Sequence, residues 1–213
     1  MTAQQHWRAL VVAGYEHHEG VARDGLHDSD PVARRLALGA LDRMGALTDA
    51  DVLHAFADPD ATVRQRAATL AANRPAISLL PLLHDPDATV VEVAAWATGE
   101  QEIVDNEVVL ALIELALHAA DALVREAAVA ALGAIGDERA LPAILAGCGD
   151  KATIRRRAVL ALAPFSGPEV DAALLAALSD RDWQVRQAAE DLLPHMPIDT
   201  AIGEGEGDAA ADT

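Results

Sequence analysis

The 213-residue sequence predicts an all-α fold, a right-handed α-α superhelix in which about six helical hairpins stack side by side. Three observations predict it. A phrase built on Asp-x-Asp-x-x-Val-Arg-x-x-Ala returns at roughly 30-residue intervals, within the range that marks solenoids. Apolar residues make up 52% of the chain and are mostly Ala, Leu and Val, which suit helices that approach one another closely. Aromatics are only 3%, so the aromatic and β-branched residues that build sheets are too sparse for a strand architecture.

The elements follow in order. Residues 3–15 form a capping helix or half-repeat, and Trp7 is placed to cover the open N-terminal end. The phrase then reads Asp28-Ser29-Asp30-Pro31-Val32-Ala33-Arg34, and next Asp58-Pro59-Asp60-Ala61-Thr62-Val63-Arg64. The third copy, Asp85-Pro86-Asp87-Ala88-Thr89-Val90-Val91, has valine in place of the arginine. The fourth ends in Val124-Arg125, the fifth in Ile154-Arg155 and the sixth in Val185-Arg186. The second aspartate of the phrase (Asp30, Asp60, Asp87, Asp121, Asp182) stands where a helix N-cap belongs, facing orphan N–H groups and the positive helix end. Pro31 suits a first helical turn. The first aspartate, followed by Pro59 or Pro86 in two copies, closes the preceding helix. Val124, Ala127, Ala128, Ala131, Leu132 and Ile135 give repeat four its apolar face at helical spacing, and Gly45 and Gly136 stand at expected C-caps. A shorter amphipathic helix precedes each phrase, over 49–57, 76–84, 106–118, 138–147 and 168–179. One such hairpin cannot bury its apolar face alone, and stacking supplies the missing partner. The array runs over 1–198. Residues 199–213, rich in Gly, Ala and acid, read as an acidic tail without fixed structure.

The phrase Asp-Pro-Asp-x-x-Val-Arg-x-x-Ala-x-x-x-Leu resembles the HEAT repeat, in the short variety also found in phycobilisome lyase subunits, over about residues 17–196. The resemblance is specific for fold and weak for function. It implies that the repeat Asp and Arg are structural, pairing within and between units. The implied ladder comprises Asp30, Arg34, Asp60, Arg64, Asp121, Arg125, Arg155, Asp182 and Arg186, with a rung missing near Val91. Lys151 replaces the cap in repeat five.

Composition bounds the function. The formal net charge is -18, from 34 acidic against 16 basic residues, and it repels phosphate backbones and anionic membranes. No signal peptide or span of roughly 18 apolar residues is evident, and the one cysteine, Cys148, permits no intrachain disulfide. Cytoplasmic residence is the default expectation.

The search for chemistry finds little. Glu16-His17-His18-Glu19 and His27-Asp28 are metal-capable, but adjacent residues of a helix face different ways, and a solvated polar helix is the preferred reading. HEAT-like deoxyhypusine hydroxylases bind iron through several His-Glu pairs. Only His18-Glu19 matches such a pair, and His27-Asp28 and His84-Asp85 depart from it. Arg155-Arg156-Arg157, with Arg125, Arg139 and Arg186, is the one basic concentration, yet HEAT-like alkylation-repair glycosylases need a broadly basic groove that this chain lacks. Cys148 reads as a packed residue, and no phosphate loop or nucleophile motif occurs.

The leading expectation is a non-catalytic scaffold that binds another protein or peptide along the concave face, with no cofactor, metal or catalytic residue. The candidate row follows the repeat arginine position by one residue: Arg35, Gln65, Glu92, Glu126, Arg156 and Gln187. It is partly acidic between the second and fourth repeats and basic toward the C-terminus. Trp183, in the first turn of its helix, joins the row as a partly exposed anchor, whereas Trp96, inside an apolar helix, is expected in the core. A bilin-lyase-like subunit and a metal-dependent enzyme using His17 and His18 are the alternatives, the first resting on fold likeness alone.

Overall fold

The Asp-x-Asp phrase does in three dimensions what its chemistry suggests. In the computed structural model, which describes residues 2–193, the second aspartate caps a helix by accepting from the amide two residues on. Asp30, Asp60, Asp87, Asp121 and Asp182 each do this at 2.8–2.9 Å. A cap of this kind contributes about 1 kcal/mol. Repeat five has no side-chain cap at Lys151.

The described residues contain α-helices and one 3₁₀ turn, and no strand. The elements are α1 (Ala3–Glu16), α2 (Glu19–Gly25), α3 (Pro31–Arg43), α4 (Asp49–Ala55), α5 (Ala61–Ala71), α6 (Leu80–Leu83) and α7 (Ala88–Gly99). They continue as α8 (Asn106–His118), α9 (Ala122–Ile135), a 3₁₀ turn (Glu138–Ala140), α10 (Leu141–Gly147), α11 (Ala152–Ala161), α12 (Pro168–Ala177) and α13 (Trp183–Leu192). The odd-numbered helices pack on one another in an unbroken row, α1 on α3 through to α11 on α13. The even-numbered helices form a second layer with much thinner neighbour contacts, of which α6–α8 and α8–α10 are the most developed.

Small residues let the odd row close up. A Cβ on Gly133 of α9 would lie 2.6 Å from the Ala161 Cα of α11, so only glycine allows that approach. Between the layers, Leu38, Leu41, Ile77, Leu82, Leu112, Leu132, Ile144 and Leu162 are fully buried. One continuous apolar core runs from Ala22 to Ala189. Leu10, Ala33 and Ala37 make a small separate cluster at the N-terminal end, with Trp7 packed over it. The Trp7 indole N–H donates to Asp30 Oδ2 at 2.6 Å. Gly136 takes φ +70° as the C-cap of α9, and Gly45 takes the same φ just after α3. The acidic tail over 199–213 lies outside the described residues, as does the end of the array over 194–198.

Two local expectations are corrected. The helix read over 76–84 is only Leu80–Leu83. Pro81 has no N–H to donate to the Ile77 carbonyl, so a helix cannot run through from 76. Gln101 fills the gap, its side-chain amide donating to the carbonyls of Ala71 (3.1 Å) and Ile77 (3.0 Å). The string Glu16-His17-His18-Glu19 does not lie within a helix. His17 ends α1 in the left-handed conformation at φ 58°, and His18 precedes α2.

Candidate functional site: a ladder edge and an exposed row

Each odd helix from α3 onward presents two surfaces. In α3, α5, α9 and α11 the N-terminal end joins the following repeat through arginine. The outward stripe of each faces solvent.

At the N-terminal edge, Arg34 donates from Nε and Nη2 to both Asp58 oxygens (2.7 and 2.6 Å). Arg64 does the same to Asp85 (2.6 and 2.8 Å), Arg125 to Asp150 (2.7 and 3.1 Å) and Arg155 to Asp180 (2.8 and 2.7 Å). Each Nη1 turns back to a carbonyl of its own repeat, Arg34 to Asp28 (2.9 Å) and Arg186 to Asp180 (2.8 Å) among them. Fork-to-fork geometry of this type gives direction as well as energy. Arg155 is the deepest, at 6% exposed.

The ladder is therefore built on the first aspartate of the phrase, and the assignment of Asp30, Asp60, Asp121 and Asp182 to it is corrected. Those four are caps. The first aspartate also accepts from the following cap's amide, Asp58 from Asp60 at 2.9 Å and Asp180 from Asp182 at 2.7 Å, so one carboxylate fixes its own turn and the preceding repeat's arginine. Arg155 beside Asp180 holds that carboxyl at about 2. Arg125 lowers Asp150. At Asp58, burial and the nearby Asp60 charge act upward and are outweighed by the Arg34 bonds and the Asp60 amide. At the N-terminal end His6 stands in for arginine, its Nε2 at 2.8 Å from Asp28. Between repeats three and four both partners are replaced, Val91 facing the copy that carries Ala119 where the others have aspartate.

The basic concentration read from Arg125, Arg139, Arg155, Arg156, Arg157 and Arg186 is dispersed. Arg125 and Arg155 are rungs, and Arg139 pairs with Asp137 at 2.6 Å, which holds that carboxyl at about 2. Arg156 is exposed, and Arg157 lies 3.9 Å from Glu126. Burial pushes the Cys148 thiol up to about 11, which removes thiolate character at neutral pH. Among the described residues, no three His, Cys, Asp or Glu side chains are gathered in a way that would hold a metal ion.

On the outward stripe, Arg35, Arg156 and Gln187 are exposed, and Gln65, Glu92 and Glu126 are half-buried. Gln65 of α5 donates to the Thr89 hydroxyl of α7, and Gln187 donates to Asp191 at 2.8 Å. Trp183 is 64% exposed. Trp96 is not a core residue: it is 47% exposed. It lines a groove of about 540 Å³ across α7, α9 and α11, together with Glu92, Glu100, Leu123, Glu126 and Arg157. Ala127, Ala130 and Ala134 keep the α9 wall low, and Leu123 stands 56% exposed at its edge. Sequence reading missed Trp96, Leu123 and Glu100 here. The signal lay in the repeat register, where Trp96 takes the position held by Gly39, Thr69, Ala130 and Leu160 in other copies.

The HEAT-repeat family model matches residues 77–153 and 111–194, together more than half of the chain. The chain belongs to the HEAT-repeat family. Nothing singles out the phycobilisome-lyase variety within it. By sequence, no curated protein matches the chain. By structure, it is similar to a crystal structure of an engineered protein (TM-score 0.60, 22% identity, covering 83% of this chain and 96% of that one). It is also similar to a designed armadillo repeat protein (TM-score 0.56, 20% identity, 81% and 97%). Human deoxyhypusine hydroxylase in complex with glycerol aligns at TM-score 0.47 and 23% identity, over 91% of this chain and 79% of that one. At that distance the likeness says nothing about chemistry. This HEAT-repeat chain has no described helix long and apolar enough to cross a membrane.

Proposed function

We propose that this HEAT-repeat chain is a non-catalytic scaffold that binds another protein or peptide along the outward stripe of its odd-numbered helices. The observation that carries the reading is the groove at Trp96. Large apolar side chains, Trp96 and Leu123, stand half-exposed in a depression bordered by charge, which is how partner-binding surfaces are built. The odd row packs more closely than the even row, and in a curved stack the more closely packed layer is the inner one. The stripe is then the concave face, where an extended partner meets several repeats at once. Arg35, Gln65, Glu92, Glu126, Arg156 and Gln187 present one side chain per repeat, and Trp183 adds an aromatic anchor near the C-terminal end.

Affinity capture with identified bound proteins tests this, comparing wild type with an Arg156→Glu/Gln187→Ala variant. A partner retained by wild type and lost by the variant supports binding on this row. A partner held equally by both moves the site off it.

A further inference from the structure

Trp96 is the residue that the fold does not explain. Its register position is glycine, threonine or alanine in three other repeats, so the stack does not require bulk there. The side chain is half outside the core and lines the groove. Glu92 of α7 and Glu100, the C-cap of α7, lie four residues before and after it, and all three line the groove. Among the described residues neither Glu92 nor Glu100 enters an ion pair, whereas Glu126 on the facing wall does. Glu126, across the groove on α9, has Arg157 at 3.9 Å, which confines the unneutralised negative charge to the α7 side.

An aromatic face attracts cations through its quadrupole, and flanking carboxylates add to that attraction in a groove partly withdrawn from water. We propose that the α7–α9–α11 groove takes a lysine- or arginine-bearing segment of the partner protein, its cationic head held over the Trp96 indole between Glu92 and Glu100. The inference rests on the protein-binding reading and names the partner's chemistry. Leu123 and the alanines of α9 receive the aliphatic stem of that side chain, since such stems pack on apolar surface while the head keeps its polar partners. Arg157 repels a second cation beyond Glu126 and so sets where along the partner the cationic residue falls. The overall charge of -18 steers a basic segment toward the molecule from any direction, and the groove supplies the local selection.

Fluorescence polarisation tests it with a labelled Gly-Lys-Arg-Lys-Arg-Gly peptide, at about 150 mM salt where long-range attraction is screened. The control peptide carries acetyl-lysine and citrulline in place of the charged residues. The expected result is binding of the first peptide only, accompanied by a change in tryptophan emission that Trp96→Ala removes. Glu92→Gln/Glu100→Gln raises Kd about ten-fold and Trp96→Ala about five-fold. Glu107→Gln/Glu114→Gln removes the same charge from exposed positions of α8, in the other layer, and leaves Kd within about two-fold. Equal weakening by both double variants overturns the site, because the attraction is then only net charge. Failure of the wild type to bind the peptide overturns it as well. So does a dimer in sedimentation equilibrium that Trp96→Ala dissociates, which makes a second copy the occupant. A captured partner lost by Arg156→Glu/Gln187→Ala but untouched by Glu92→Gln/Glu100→Gln sinks the cation site while the protein-binding reading stands.

Discussion

Two junctions of the array solve the same problem in opposite ways. Where α9 meets α11, Arg125 spans the repeats to grip Asp150. Where α7 meets α9, the corresponding positions are Val91 and Ala119, and Val91 is 6% exposed. Yet α7 on α9 is the most extensive helix contact in the molecule. A rung holds two surfaces in register at the cost of desolvating two charges. An apolar pair holds them by packing alone, and exchanges of that kind are often neutral or stabilising. The stack therefore does not depend on the ladder for cohesion. The ladder gives direction and spacing to repeats whose small, alanine-rich faces specify register weakly, and the junction that lacks it is the one whose outward side carries Trp96.

The sharpest test of the contrast is removal of a rung. Arg155→Ala leaves Asp180, a mostly buried carboxylate, without its guanidinium, and the expected loss is about 2–3 kcal/mol after allowance for residual exposure. Arg125→Ala follows at about 2 kcal/mol, since its side chain and that of Asp150 are more exposed. Arg156→Ala, on the solvated stripe, stays within about 0.5 kcal/mol. Urea melts of the three variants give the ranking, and an Arg125→Ala midpoint equal to that of Arg156→Ala would refute the structural role of the rung.

These outcomes bear on how much of the molecule was legible in its sequence. The repeat, the caps and the arginine positions were, because each must recur wherever the same helix end recurs. The acceptor of the arginine was not. Two aspartates recur with the same period, two residues apart, and periodicity cannot tell which one turns toward the neighbour. Asp60 spends its carboxylate on the Thr62 amide, and Asp58, at the close of the previous helix, faces Arg34. Trp96 was misread for a related reason. The segment around it, Val90-Val91-Glu92-Val93-Ala94-Ala95-Trp96-Ala97, is apolar nearly all round, so amphipathicity gives no outward direction. Only alignment of the repeats shows that its position tolerates Gly39.

Installing the missing rung is the next sharpest test. Val91→Arg alone places a cation opposite Ala119 with no carboxylate to receive it, and the expected loss is about 2 kcal/mol. Adding Ala119→Asp recovers at least half of that loss, so a double-mutant cycle reads a favourable coupling of about 1 kcal/mol. A coupling of zero would mean that the α7–α9 spacing has drifted out of the ladder geometry, and the two junctions would then differ in more than their side chains.

The smallest expected effect is a pH dependence that falls unevenly along the chain. Asp58, Asp150 and Asp180 all have folded-state values below the ordinary 3.8, Asp180 at about 2. A carboxyl depressed by folding binds fewer protons folded than unfolded. Its contribution is fully present above about pH 4 and drains away as pH falls through its folded value. The α7–α9 junction has no carboxylate at position 119 to protonate. Amide exchange read by mass spectrometry, and corrected for the intrinsic rate, should therefore lose protection at pH 3 relative to pH 6 most in α3, α5 and α11 and least in α7, with α9, which is bound to α11 through Arg125, in between. Substituting Asp180→Asn should flatten the fall at α11 and leave the others as they were. If α7 instead opens together with the ladder junctions, the array unfolds in acid as one cooperative unit, and packing at the rungless junction is too weak to stand apart from the charges beside it.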